Sequence, residues 1–217
     1  MKDVVFDYDR AERIGLPEAV FCQGKARATV LDLLQQFARG NGHPVLFTRL
    51  DADVVADLPD AVRDGIDYHP LSRTAWGERM PAQAAGRRVA VVSAGTADGA
   101  VAWEAARTLT YLGIRNTVIE DCGVAGLWRL LERVEEINEH DVVIVVAGLD
   151  AALASVMGGL TAKPVLAVPT SVGYGMAGQG EAALRSMLVS CAPGVPVLNI
   201  DNGYGAACAA VRILGLS

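Results

Sequence analysis

The chain lacks the spacings by which cysteine and histidine usually build a site. Its four cysteines, Cys22, Cys122, Cys191 and Cys208, contain no C-x-x-C pair, and His43, His69 and His140 fall at neither helical nor finger spacing. A protein-built zinc site is therefore not expected, and the cysteines read as free thiols in a reducing compartment. Basic runs are missing too. Lys and Arg number 19 against 25 Asp and Glu, a net charge of −6, with no basic stretch interleaved with aromatics, so neither nucleic acid nor anionic lipid is an expected partner. The longest apolar runs, such as Val142 to Leu149 and Val165 to Val168, are strand-sized, far short of the roughly 20 residues of a membrane helix. The first residues, MKDVVFDYDRAER, carry acids rather than the apolar core of a leader, which points to the cytoplasm. There is no GxSxG elbow, Walker A loop or HExxH helix; Ser171 lacks the first glycine of the elbow.

What is present is an alternation. At 217 residues, 52% hydrophobic and 20% charged, the chain can bury one large core and a smaller one. From Arg87 onward, apolar runs alternate with helical patterns, predicting a three-layer α/β/α sandwich around a parallel sheet. The predicted strands are Arg88 to Ser93, Asn116 to Ile119, Asp141 to Ala147, Pro164 to Val168 and Pro196 to Ile200. The predicted helices are Gly99 to Leu112, Ala125 to Glu139, Ala151 to Gly158, Glu181 to Ser190 and Ala206 to Leu214. Residues 1 to 85 read differently: a helix over Lys25 to Gly40, a strand near Val45 to Leu50 and a linker around Arg79 to Gly86 make a small α+β domain before the catalytic domain at 86 to 217. Ligands of an open parallel sheet bind at the carboxyl ends of its strands, so SAGTAD, EDCGVAG, AGLDAA, PTSVGYG and NIDNGYG should line one site.

Several features of those loops, and one cysteine outside them, carry chemistry. Gly173 to Gly178 fits G-x-G-x-x-G after a strand and before a helix, so its glycines, Gly173 and Gly175 first, can bring backbone N–H groups to a phosphate, with Thr170 and Ser171 adding hydroxyls; the plain alternative is a tight turn. Asp201 and Asn202 end the next predicted strand. Ser93, Gly95, Thr96 and Asp98 form a second polar turn, and Gly123 and Gly126 a third. Asp150, at the end of the most apolar strand, is either an acid/base or the N-cap of the following helix. Cys191 and Cys122 compete as reactive thiols, each against the ordinary reading of a small buried hydrophobe.

Taken together, DYDRAERIGLPEAVFCQGK, VVSAGTAD, DCGVAGL, VVAGLDAAL, PVLAVPTSVGYG, SCAPG and NIDNGYGAA resemble the LarB family, pyridinium-3,5-biscarboxylic acid mononucleotide synthases, over nearly the whole chain. The catalytic half is similar to the phosphoribosylaminoimidazole carboxylases, which implies a flavodoxin-like sheet and an octamer-like homo-oligomer. The resemblance implies carboxylation of nicotinic acid adenine dinucleotide at pyridinium C5 by CO2 or bicarbonate, with cleavage of the phosphoanhydride to release AMP. Its product is a precursor of a nickel-pincer cofactor. The family's nucleophile falls on Cys191 and its acid/base on Asp150, where the family has Glu.

A pyridinium ring is too electron-poor to attack CO2, and addition of a thiolate turns it into an enamine that can. The resemblance implies no tightly bound organic cofactor; Mg2+ would assist anhydride cleavage by neutralising phosphate charge, without a dedicated cage of ligands. Asp7, Arg10, Arg13, Gly15, Pro17, Glu18 and Lys25 keep the N-terminal signature, Arg10 and Arg13 serving either to bind a carboxylate or phosphate or to bridge subunits or domains. Cys22, Trp128 and Ala154 stand where the family pattern has Gly, His and Pro. A carboxylase or mutase of aminoimidazole ribotide and a non-catalytic nucleotide-binding module are the rival readings.

Overall fold

The computed structural model describes residues 4–38, 43–82 and 86–215. The far end of the predicted helix to Gly40 and the middle of the predicted linker lie outside the described residues. The N-terminal unit runs α1 (Arg10–Ile14), β1 (Ala19–Phe21), α2 (Arg27–Phe37), β2 (Leu46–Thr48), α3 (Ala52–Ala56), α4 (Asp60–Arg63), β3 (Asp67–His69) and β4 (Thr74–Trp76). Its sheet has the order β1-β2-β4-β3, with β1 and β2 parallel and the other pairs antiparallel. Val30, Leu33, Leu34 and Phe37 recur at the three- and four-residue spacing of one helical face, and α2 buries that face with Phe47, Leu50 and Val62. Strand β2 is shorter than the sequence predicts because Arg49 has a φ of 54°, a left-handed backbone that ends the extended run.

The second unit runs β5 (Arg88–Ser93), α5 (Gly99–Tyr111), β6 (Arg115–Ile119), α6 (Leu127–Leu131), α7 (Val134–Asn138), β7 (Val142–Ala147), α8 (Ala152–Leu160), β8 (Val165–Pro169), α9 (Glu181–Leu188) and α10 (Gly203–Ile213). All pairings are parallel, in the order β6-β5-β7-β8. The strands sort their side chains by parity: Val89, Val91, Val142, Ile144 and Val146 face α5 and α10, whereas Ala90, Val92, Val143, Val145 and Ala147 face the helices of the other layer. This is the flavodoxin-like sandwich expected. Each fully buried valine or leucine contributes about 1.5–3 kcal/mol relative to exposure, so the two layers hold the sheet from both sides.

Two expectations need correction. The predicted fifth strand, Pro196 to Ile200, forms only a single parallel bridge between Val197 and Ala167. Pro196 has no N–H to give, and the chain already turns at Asn199, whose carbonyl accepts the Asn202 N–H at 3.2 Å. The predicted Ala125 to Glu139 helix is two short ones, α6 and α7, separated at Glu132 and Arg133.

The two units meet along α5. Trp76, Leu46 and Leu16 join the core cluster of the second unit, Arg107 stacks its guanidinium 3.6 Å from the Trp76 ring centroid while bonding Asp67, and the Tyr111 hydroxyl donates to the Pro44 carbonyl at 2.8 Å. Among the described residues no helix is long and apolar enough to cross a membrane.

Candidate active site

Strand β5 has β6 on one side and β7 on the other, so the connections leaving β5 and β7 diverge and open a crevice at the carboxyl end of the sheet. A cleft of ≈ 750 Å³ lies there, lined by Gly95, Thr96 and Asp98 after β5, by Asp121 and Gly123 after β6, and by Leu149, Asp150 and Ala151 after β7. Val172, Tyr174 and Met176 complete the wall from the glycine loop. The lining is mostly apolar, with few polar groups at its base, which is the usual make-up of a small-molecule site.

Asp98 anchors the floor. It is only 3% exposed; its carboxylate accepts the Thr170 hydroxyl at 2.6 Å and the Gly95 N–H at 2.9 Å. Burial pushes its carboxyl above the ordinary carboxylate range, against the downward pull of Thr170, Gly95 and Gly148. Ser93, fully buried beneath the same loop, has a hydroxyl without a hydrogen-bond partner among the described residues. The floor is also sterically closed: a Cβ on Gly148 would come within 2.4 Å of the Val172 carbonyl oxygen and 2.6 Å of the Thr170 hydroxyl.

Asp150 has the opposite surroundings. It is exposed, flanked by Leu149 and Ala151 that both have a φ of 53°, and its carboxylate accepts the Ala152 N–H at 3.3 Å. The expected N-cap is not Asp150 but Ala151, in a left-handed backbone, so Asp150 stands one residue before the cap and gives the helix only that bond to the Ala152 N–H while also lining the cleft.

The glycine loop departs from expectation. Residues Gly175–Gly180 form a 3-10 turn broken at Gly178 and Gln179, and α9 begins only at Glu181, so the G-x-G-x-x-G run does not itself open the helix. Two positions demand glycine: Gly173, where an imagined Cβ would come 2.4 Å from the Ala177 carbonyl oxygen, and Gly180, with a φ of 79° and an imagined Cβ 2.7 Å from the Thr170 carbonyl oxygen; Gly175, at a φ of 55°, and Gly178 have open space around them. Tyr174 and Met176 are 83% and 97% exposed, so the cleft mouth offers bare apolar surface.

Ser171 and Asp201 line a second, smaller cavity of ≈ 240 Å³ with Arg49 and Arg73 of the N-terminal unit, and it shares Ala97, Val172 with the cleft wall. The Asp201 carboxylate accepts the Ser171 N–H at 2.8 Å. Asn202 caps α10 by accepting the Gly205 N–H at 2.7 Å. Glu104, on α5, is almost fully buried: one oxygen accepts the Gly203 and Tyr204 N–H groups at 3.0 and 3.3 Å, the other binds Arg49 Nε at 3.0 Å. Burial raises its carboxyl, opposed by Arg49 and those two amides.

Of the residues named from sequence, the fold therefore brings Gly95, Thr96, Asp98, Gly123 and Asp150 to one cleft, Thr170 and Ser93 beneath it, and Ser171 and Asp201 beside it. Gly126, Gly173 and Gly175 are in the same loops but are not lining residues. Arg13 is held by Asp7 in a two-pronged pair at 2.6 and 2.9 Å, and neither it nor Arg10 reaches the cleft. Cys122 is 1% exposed with its thiol pushed up by burial, and burial pushes the Cys22 thiol up to about 12, so both have the character of core residues. Cys191 is exposed but does not line the cleft of its own chain. Its neighbours fix it beside α8: the Ser190 hydroxyl is 2.7 Å from that of Ser155, and Ala192 packs against Gly158.

Sequence reasoning missed Arg49, Glu104, Tyr174 and Met176. The last two sit inside the glycine run and could have been found there; the first two are lone charged residues whose partners are far away in the chain. Among the described residues no three His, Cys, Asp or Glu side chains come together as metal ligands.

Two family models match the chain. Residues 88–217 match the family model described as AIR carboxylase, and residues 1–79 match that of the LarB/PurE-like N-terminal domain. An uncharacterised protein of Methanocaldococcus jannaschii is 34% identical over 210 residues, covering 92% of this chain and 79% of that protein. The N5-carboxyaminoimidazole ribonucleotide mutase of the same archaeon is 37% identical over 133 residues, covering 59% of this chain and 79% of the mutase.

Proposed function

Since the chain belongs to the AIR carboxylase family and joins that domain to a LarB/PurE-like N-terminal domain, we propose that it carboxylates nicotinic acid adenine dinucleotide at pyridinium C5 and hydrolyses its phosphoanhydride to release AMP. The observation that carries the reading is the cleft, an apolar-walled crevice with one exposed carboxylate, Asp150, at its lip and a buried one, Asp98, in its floor. A flat aromatic ring fits between Leu149, Val172 and Tyr174, and the loop amides and hydroxyls around Gly95 and Thr96 suit a ribose phosphate. The Cys191 thiolate adds to the ring; the resulting dihydropyridine attacks CO2 through C5, forming the new C–C bond. Asp150 takes the C5 proton, and expulsion of the thiolate restores the aromatic cation. Water supplies the oxygen that separates AMP from the mononucleotide.

Cys191 lies outside its own cleft, so this chemistry requires it to serve the cleft of a neighbouring copy. Incubating the protein with nicotinic acid adenine dinucleotide and bicarbonate should yield AMP and a dicarboxylated mononucleotide, and Cys191→Ala should abolish the yield. Mixing Cys191→Ala with Asp150→Asn should restore part of it, because a mixed pair regains one intact site. Full activity of Cys191→Ala sinks the covalent mechanism, and failure of mixed assemblies to recover sinks the shared site.

The identity to the N5-carboxyaminoimidazole ribonucleotide mutase favours a second reading, carboxylation or carboxyl migration on aminoimidazole ribotide. That substrate is already an enamine and needs no thiol. Rescue of a purine-requiring strain that is insensitive to Cys191→Ala would favour it.

A further inference from the structure

Among the described residues, Arg49 ties the N-terminal unit to the strand-end loops through partly buried, directional bonds. Arg49, in a left-handed backbone at the end of β2, sends Nε to Glu104 at 3.0 Å and Nη2 to the main-chain carbonyl of Asp201. Glu104 in turn accepts the first two amides of α10, Gly203 and Tyr204. Asp201, itself at a φ of 56°, holds the Ser171 N–H. A chain of bonds therefore runs from the N-terminal unit through the NIDNG loop to the loop that carries Val172, Tyr174 and Met176 into the cleft wall. Left-handed backbone at two non-glycine residues costs energy and persists only where surrounding bonds over-determine it.

The charges are balanced for holding rather than for capturing an anion. Arg49 faces the Glu104 carboxylate and lies beside the Asp201 loop; Nη2 of the neighbouring Arg73 donates to Asp51 and to the Arg49 carbonyl, while its Nε has no hydrogen-bond partner among the described residues. We infer that Arg49 is a positioning residue: through Glu104 and the Asp201 carbonyl, the N-terminal domain sets the geometry of the two loops that wall the cleft. The inference deepens the proposed function, since a wall that moves is a substrate contact that moves, yet the bond chain exists whatever the substrate is.

The unit boundary supplies a control. Asp67 pairs with Arg107 at 2.9 Å, also between the two units, and the bonds of that arginine run to Asp67 and Thr74 rather than to a strand-end loop. If Arg49 only helps to hold the units together, Asp67→Ala and Arg49→Ala should act alike. Hydrogen exchange on the full chain without ligand should instead show faster exchange over 169–176 and 199–206 in Arg49→Ala, by about tenfold, with little change there in Asp67→Ala. Arg49→Lys, which keeps one charged donor, should recover part of the protection; it also serves if Arg49→Ala does not fold. With nicotinic acid adenine dinucleotide, Arg49→Ala should raise KM more than it lowers kcat. Equal exchange in the two alanine variants, or protection in Arg49→Ala matching the unaltered protein, overturns the inference. Loss of loop protection in a protein that turns over no pyridine nucleotide would uphold it while removing the proposed substrate.

Discussion

Asp98 and Asp150 follow equivalent strands of the same sheet and look interchangeable in the sequence, yet the fold gives them opposite surroundings. Asp98 is buried, saturated with donors and pushed towards its neutral form; Asp150 is exposed, lightly bonded and set between two left-handed residues. The difference teaches that one carboxylate builds the cleft while the other is available to work in it. A side chain whose lone pairs are already used by Thr170 and Gly95 shapes a floor, whereas a proton acceptor for substrate needs lone pairs to spare.

That contrast can be broken most forcefully at Asp98. Asp98→Ala leaves the buried Thr170 hydroxyl and the Gly95 N–H without their acceptor, which should cost about 2–4 kcal/mol in denaturant unfolding. A loss below about 0.5 kcal/mol would mean the floor does not depend on it. Next in size is Gly148→Ala, where the added methyl meets the Val172 carbonyl and Thr170, with an expected loss of about 1–3 kcal/mol by the same measurement.

The smallest effect on stability, and the sharpest test of the contrast, comes from comparing Asp98→Asn with Asp150→Asn across pH. Burial raises the Asp98 carboxyl above its unfolded value, so the folded state holds that proton more tightly and stability declines as pH climbs from the unfolded pKa through the folded one. Asp98→Asn should flatten that decline without removing the share due to Glu104, which is raised in the same direction. Asp150→Asn should leave stability within about 0.5 kcal/mol, while turnover falls on the order of 10²–10⁴-fold, the usual contribution of a general base. An Asp150→Asn protein with unaltered turnover would leave Asp150 only its bond to the Ala152 N–H ahead of α8.

The strands and loops of the second unit were legible because parity and period are local: Val142 to Ala147 reads as buried on both faces, and it is. Five of the named loop residues do converge, since strand order and parallel pairing leave little choice about where the loops go. What escaped the sequence depended on distance in the chain. Nothing near Arg49 announces Glu104, 55 residues away, or the Asp201 carbonyl, 152 residues away. The Pro196 to Ile200 segment shows the converse, for its side chains alternate between the two layers, Val197 to one and Leu198 to the other, while its backbone never forms the ladder that such alternation implies.

That single bridge at Val197 has a consequence for how the molecule meets other chains. A fully formed outer strand would present a row of free N–H and C=O groups, a template onto which another extended segment could add and begin aggregation. Here the outermost segment offers a proline, one bridge and then a turn, a border too short and too irregular to extend. The apolar layer beneath it, among the most β-prone in the chain, is in this way kept from recruiting foreign strands.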